Sequence, residues 1–236
     1  MKINLYKTYE NLSKTKDKDA FFTALQTAVH SLGFEYCAYG IRSIYPISSH
    51  KTYVINNYPE DWNQTYVDNN YLEIDPTVKH GLRSTQALFW ADDVFREAPY
   101  FWEEARSFGI KQGISQSQKD ENGRISMLTF ASDNPELTQK TLILQAPSLI
   151  WLSQLAHTGL ADKMMPLEPI ETEHKLTKRE IDILRWTAEG KTSNEISILM
   201  SISDRTVNFH INNVLKKLSA SNKTAATVKA MMLNLL

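Results

Sequence analysis

Two short patterns, Thr177-Lys-Arg-Glu180 and Thr192-Ser-Asn-Glu195, constrain the fold of this 236-residue chain more than any other feature. Each is a capping box. The threonine oxygen accepts from the backbone amide three residues on, and the glutamate reaches back to the threonine amide, so a helix must start there. After the first box, Ile181, Leu184, Arg185 and Ala188 keep helical spacing, and Gly190 is placed to end the helix. After the second come Ile196, Leu199 and Met200, then a tight turn at Ser201-Ile202. Ser203 can cap a third helix in which Val207, Ile211, Val214, Leu215 and Leu218 form one apolar stripe. Ser221 can cap a fourth, with Ala225, Val228, Met232 and Leu235 turned inward. Short helices joined by a turn of a few residues match a helix-turn-helix. On pattern alone, a four-helix protein-interaction module with a solvated polar face fits as well.

In a helix-turn-helix the third of these helices would enter the major groove. The DNA-contacting candidates are Arg205, Thr206, Asn208, His210, Asn212, Asn213, Lys216 and Lys217, together with Thr192 at the start of the preceding helix. Amides and hydroxyls suit base edges, and cations suit phosphates. Charge points the same way. From Leu176 onward there are nine Lys or Arg against five Asp or Glu, a net +4; the remainder has 17 against 22, a net −5. A basic module on an acidic body suits a polyanion partner, here double-stranded DNA.

The rest of the chain reads differently. Met164–Lys175, with two prolines and three glutamates, breaks the apolar periodicity and reads as a linker. The domain boundaries expected are 1–165, a linker at 166–175, and 176–236. Residues 19–32 have helical spacing closed by Gly33, and 34–41 and 51–55 read as strands. Pro59 opens a short helix. Residues 92–108 read as another helix. Asn122-Gly123 joins strands at 113–118 and 124–131, both turn residues tolerating positive φ. Residues 137–164 form a long helix that Pro147 should kink or break. The expected N-terminal domain is therefore α+β, and the C-terminal one all-α.

Within the α+β part, Tyr58, Trp62 and Tyr66 are spaced four apart, and Asp75-Pro76 and Trp90 follow. An aromatic wall with one carboxylate suits an apolar pocket holding a few placed polar groups. A ligand amide N–H would need the carboxylate, and ligand carbonyls would need the tyrosine and tryptophan donors. An aromatic stripe is also what an ordinary core looks like, and an aspartate before proline is also a helix N-cap.

The stretch LTKREIDILRWTAEGKTSNEISILMSISDRTVNFHINNVLKKLSASNKTAA resembles the DNA-binding domain of the LuxR family. NYPEDWNQTYVDNNYLEIDPTVKHG, LFWADDVF and FWEEARSFGIKQG are similar to the N-acyl-homoserine-lactone-binding domain of the quorum-sensing members. The resemblance implies an α-β-α sandwich followed by a four-helix helix-turn-helix domain. It implies that Asp75 accepts from the ligand amide, Trp62 donates to the lactone carbonyl and Tyr58 to the acyl carbonyl. Tyr66 and Trp90 would wall the head group, and Thr129 would lie near the acyl carbonyl. Ala38 falls where some relatives carry a hydroxyl, so no polar contact to a substituted chain is expected from it. Gly40, Val54, Leu72, Leu82, Ile110 and Met127, with Ala38, are candidates for the tail region. Implied partners are an N-acyl-homoserine lactone, a second copy of the chain, an inverted-repeat promoter element and RNA polymerase. No cofactor or metal is expected.

Other classes are disfavoured. A phospho-receiver would begin with an apolar strand running into an acidic pair, which this chain lacks. An enzyme acting on acyl lactones would need an activated nucleophile, but Cys37 has no nearby histidine in sequence and Ser126 no glycine-flanked elbow. The single cysteine excludes an intramolecular disulfide. No signal peptide and no run of about 18 apolar residues is found, so a cytoplasmic, non-membrane protein is expected. The remaining alternative is a ligand-independent DNA-binding regulator with a filled N-terminal core.

Overall fold

The structure, a computed structural model, describes residues 4–44, 46, 49–166 and 175–236. The chain falls into two compact units, one built from most of the chain up to Pro166 and one from the chain beyond it together with the short segments Ile44–Ser49 and Glu121–Gly123. Most of the expected linker, residues 167–174, lies outside the described residues.

The first unit opens with helices α1 (Leu5–Ser13) and α2 (Lys18–His30). Asp17 caps α2 by accepting from the Ala20 amide at 2.8 Å, and Gly33 turns the chain at φ 94°. A five-stranded antiparallel sheet follows, in the order β2-β1-β5-β4-β3. Its strands are β1 (Tyr36–Ser43), β2 (Thr52–Asn56), β3 (Leu88–Phe89), β4 (Gln112–Lys119) and β5 (Arg124–Ser132). Between β2 and β4 lie α3 (Glu60–Asp68), α4 (Pro76–Gly81) and α5 (Pro99–Ser107). Helix α6 (Gln139–Met164) closes the unit.

Alternate residues of a strand point to opposite faces, and here the two faces meet different layers. Tyr39, Ile41, Leu128 and Phe130 pack with α2 and α6 residues such as Phe21, Leu25, Leu149 and Leu152. The opposite layer is aromatic: Trp62, Tyr71, Phe95, Phe101 and Trp102 cluster there, with Tyr36, Tyr58, Tyr66 and Trp90 against them. The result is the α-β-α sandwich.

Three expectations need correction. Residues 92–97 form turns, and α5 begins only at Pro99. A proline lacks the amide a helix interior needs but fits the first turn, so Pro99 starts the helix. Pro147 does not break α6, which runs through it as one helix. In the β4–β5 turn only Gly123 takes positive φ, at 73°, and Asn122 does not.

The α6 layer also holds a buried polar network. Arg124, 6% exposed, donates through Nε to Asp120 at 2.6 Å and through Nη1 to Asp162 at 2.7 Å and the Met165 carbonyl at 2.9 Å. Beside it, the His157 ring pairs with Ser126 through Nδ1 at 2.8 Å and with Asp120 through Nε2 at 3.5 Å. Burial lowers the pKa of His157, against the pull of Asp120.

The second unit is all-helical: α7 (Lys178–Ala188), α8 (Ser193–Met200), α9 (Asp204–Lys217) and α10 (Lys223–Met232). Both capping boxes are formed, by Thr177 with Glu180 and Thr192 with Glu195. Ser201 turns the chain between α8 and α9 at φ 53°, and Ser203 caps α9. The α9 stripe is buried at Val207, Ile211, Val214 and Leu218. Helix α10 is capped by Asn222 rather than Ser221. Its inward residues are Ala226 and Ala230, one register away from the expected Ala225 and Val228. Methyl side chains let α10 pack closely in that register.

Candidate functional site

Between the sheet and the aromatic layer lies a cavity of about 160 Å³. The sheet supplies its floor by register. Ala38 pairs with Thr129 and Gly40 with Met127 across β1 and β5, and all four line the cavity. Helix α3 brings Trp62 and Tyr66, whose rings meet edge-on at 5.8 Å. Tyr58 enters just before α3, packed on Tyr36 at 5.7 Å. Trp90, Ile110 and Asp75 complete the ten residues expected here, and all ten line the cavity.

Asp75 is 7% exposed and its two oxygens are differently engaged. Oδ1 caps α4, accepting from the Thr77 amide at 2.8 Å and the Thr77 hydroxyl at 2.7 Å. Oδ2 accepts from the Tyr66 hydroxyl at 3.0 Å, and the residue lines the cavity. One side chain thus caps α4 and lines the cavity. Burial raises the Asp75 carboxyl above its ordinary value, while the Thr77 and Tyr66 bonds pull the other way. Burial also raises the Tyr58 and Tyr66 hydroxyls, and the nearby Asp75 adds to it in both. Both are neutral donors at physiological pH.

Two donors at this end remain without a protein acceptor among the described residues: the Tyr58 hydroxyl and the Trp62 indole N–H. The Trp90 N–H is held instead by Ser115 Oγ at 3.0 Å, and Ser115 in turn contacts Thr129 Oγ1 at 3.2 Å. Gly113 lets the Trp90 indole lie against the sheet. A Cβ there would sit 2.8 Å from the indole ring and 2.4 Å from the Phe130 carbonyl.

Sequence reasoning missed Thr77, Phe95, Phe101 and Trp102, which also line the cavity. Phe95 and Trp102 stack at 4.0 Å. The aromatic density of 89–108 was the available signal. Among the described residues no group of three or more His, Cys, Asp or Glu could hold a metal. No helix among them is long and apolar enough to cross a membrane.

On the second unit, the side chains of Arg205, Asn212, Asn213 and Lys216 make no hydrogen bond or ion pair with other described residues. Thr206 contacts Ser203 Oγ at 2.8 Å. The Asn208 side-chain Oδ1 accepts from Ser193 Oγ at 2.9 Å, tying α9 to the start of α8. Thr192 is engaged with Glu195, and His210 is half-buried. Lys217 departs from expectation. Its Nζ donates to Glu180 at 2.8 Å and to the Lys175 carbonyl at 3.0 Å, so it is directed into its own unit. The reason is its place on the flank of α9, beside the buried stripe and facing α7.

Residues 17–160 match the family described as "Autoinducer binding domain", and residues 174–230 the family "Bacterial regulatory proteins, luxR family". The chain is 41% identical to the transcriptional activator protein AnoR of Acinetobacter nosocomialis, over 94% of each chain. It is 37% identical to the HTH-type quorum-sensing regulator RhlR of Pseudomonas aeruginosa, covering 93% of this chain and 91% of that one. The crystal structure of Escherichia coli SdiA superposes with a TM-score of 0.76 at 32% identity, covering 98% of this chain and 96% of that one. A structure of SdiA in complex with octanoyl-rac-glycerol gives 0.74, also at 32%, over 99% and 97%.

Proposed function

The chain belongs to the LuxR family of bacterial transcriptional regulators, with an autoinducer-binding domain ahead of its DNA-binding helix-turn-helix, and from that premise we propose that its ligand is an N-acyl-homoserine lactone. One observation carries this reading. The cavity's polar end offers one carboxylate oxygen, on Asp75, and two donors without protein acceptors, on Tyr58 and Trp62. A homoserine lactone amide presents the complement: one N–H and two carbonyls. Asp75 accepts from the N–H, Trp62 donates to the lactone carbonyl and Tyr58 to the acyl carbonyl. Tyr66 and Trp90 wall the ring. Thr129 lies beside the acyl carbonyl, and Ala38, Gly40, Ile110 and Met127 give the tail an apolar bed. Burying a ligand in the core stabilises the folded state by RT ln(1 + [L]/Kd), about 2.7 kcal/mol at a hundredfold excess over Kd.

The loaded protein acts as a homodimer in the cytoplasm. Each helix-turn-helix supplies one α9 to a half-site, and two lie about 34 Å apart on an inverted repeat. Arg205 and Lys216 hold phosphates; Asn212 and Asn213 face base edges. The boundary between the two domains falls within 166–175. The protein carries out no catalysis. Ser126, His157 and Asp120 have the residue types of a hydrolytic triad, but Arg124 neutralises Asp120 and Ser126 is on a strand interior without a nucleophile elbow. We read that network as structural.

The test is chemical. The full chain is purified from cells supplied with a mixture of N-acyl-homoserine lactones, extracted with organic solvent, and the extract analysed by mass spectrometry. A lactone at one equivalent per chain is the expected result. A folded, DNA-binding protein with no lactone bound would favour the ligand-independent reading instead.

A further inference from the structure

Phe209 sits where a soluble protein gains nothing from a phenyl ring. It is 60% exposed, in the middle of the long helix of a helix-turn-helix. At about 100° per residue, Phe209 lies some 200° round α9 from the buried Val207, close to the centre of the outward face. Arg205 and Lys216 share that centre with it, and Asn212 and Asn213 lie one turn further on. The ring is braced edge-on against His210, with centroids 5.6 Å apart. An exposed phenyl on an otherwise polar, cationic face needs an apolar partner that sits among polar ones.

We propose that Phe209 is a specificity-determining residue that contacts the C5 methyl of one thymine in each half-site. The thymine methyl is the apolar feature that the major groove presents among its donors and acceptors. The neighbours of Phe209 decide between this and a protein partner. Arg205, Asn212 and Lys216 are the groups that meet phosphates and base edges, whereas a docking surface for protein would continue the apolar area. The inference rests on the DNA-binding role of α9. It adds to it a base preference that polar side chains alone would not supply.

The experiment separates the methyl from everything else about the base. The full chain, purified from cells supplied with N-acyl-homoserine lactones, selects a duplex from a random pool. Each thymine of that duplex is then replaced singly by deoxyuridine, which removes only the methyl. Wild-type protein should lose about four-fold in affinity at one position per half-site, the worth of one buried methyl-sized group, and be indifferent at the others. Phe209→Ala should bind thymine and uracil duplexes equally at that position. It should melt with the wild type, since the ring is outside the core, and keep the wild-type salt slope, since no charge is lost. The wild-type deoxyuridine series needs no variant and is decisive by itself. If specific binding is unaffected by every deoxyuridine, or if Phe209→Ala retains the same loss, the assignment of Phe209 is overturned while DNA binding stands. If no duplex is selected above non-specific affinity, the DNA-binding role of α9 fails and the assignment with it.

Discussion

Replacing Lys217 with methionine keeps most of the side-chain stem and removes the ammonium. What remains is Glu180, whose side chain is 3% exposed against 22% for Lys217. Removing one member of a buried ion pair costs about 3–5 kcal/mol, because the other charge stays behind unpaired. Two features lower that figure here. Lys217 reaches water, which screens the pair, and Glu180 keeps its bond from the Thr177 amide at 2.7 Å. A cost of about 2 kcal/mol follows. In a unit this small each kcal/mol moves the melting temperature by about 4–8 °C, so the transition of the helical unit should fall by about 8–16 °C. Acid supplies an independent signature. Burial by itself would raise the Glu180 carboxyl, but the bonds from Lys217 and Thr177 outweigh it and hold it below its ordinary value of 4.5. A depressed folded value contributes stability that is complete above the unfolded pKa and is lost as pH falls through the folded one. The wild type should therefore lose stability below about pH 4.5, and Lys217→Met should flatten that loss. Calorimetry across acid pH reads both effects. The salt slope of DNA binding should not change. A variant that melts like the wild type but whose log–log salt slope drops by about one unit would return Lys217 to the phosphates and refute the reasoning.

Asp75→Asn keeps the α4 cap, since an amide oxygen caps as well, but turns an N–H₂ toward the Tyr66 hydroxyl or the ligand; the unpaired donor costs about 1–3 kcal/mol, so reporter sensitivity should fall about 5- to 150-fold with little change in unliganded melting. Because burial raises the Asp75 carboxyl above 3.8, its ionisation withdraws stability as pH rises through that window. A ligand N–H offsets this, so lactone titrations at descending pH should show weakening affinity in the wild type and a flat profile in Asp75→Asn. Gly113→Ala drives a Cβ against the Phe130 carbonyl and the Trp90 ring, and should cost about 1–3 kcal/mol, read as a lower melting temperature together with lost lactone binding. Medium or long acyl chains should bind best, gaining about 0.8 kcal/mol per buried methylene until the cavity ends; Gly40→Leu should shift the preference of a chain-length series toward shorter lactones.

The helices of the second unit were legible because their start signals are local. Each capping box spans four residues, and both form. Helix α10 was legible as a helix but not in its facing, since an Ala-, Thr- and Met-rich segment satisfies apolar periodicity in more than one register. The facing of Lys217 was out of reach for a different reason. Its partner Glu180 is 37 positions away, and a lysine on the flank of a helix reads the same whether it meets a phosphate or a buried carboxylate. In the first unit the ten cavity residues were legible largely through family resemblance. Their bonding was not: the Tyr66–Asp75 bond and the Trp90–Ser115–Thr129 chain depend on tertiary placement. The two-residue β3 left no periodic signal at all.

The sheet of the first unit is a wall shared by two rooms. Ala38 and Gly40 line the cavity, while Tyr39, between them on the same strand, belongs to the core behind; Ile41 packs in that core and also touches the cavity. The same interleaving holds on β5, with Met127 and Thr129 on one side and Leu128 and Phe130 on the other. On the proposed lactone reading, ligand preference and fold stability are written on interleaved letters of one line of text. Exchanging Ala38, Gly40, Met127 or Thr129 would then change which ligand fits and leave Tyr39, Leu128 and Phe130 in place. Inserting or deleting one letter swaps the two messages wholesale, because a one-residue slip sends every side chain to the opposite face. If the cavity holds the signal as proposed, a lineage carrying this wall can retune it by substitution but not by length change in these strands.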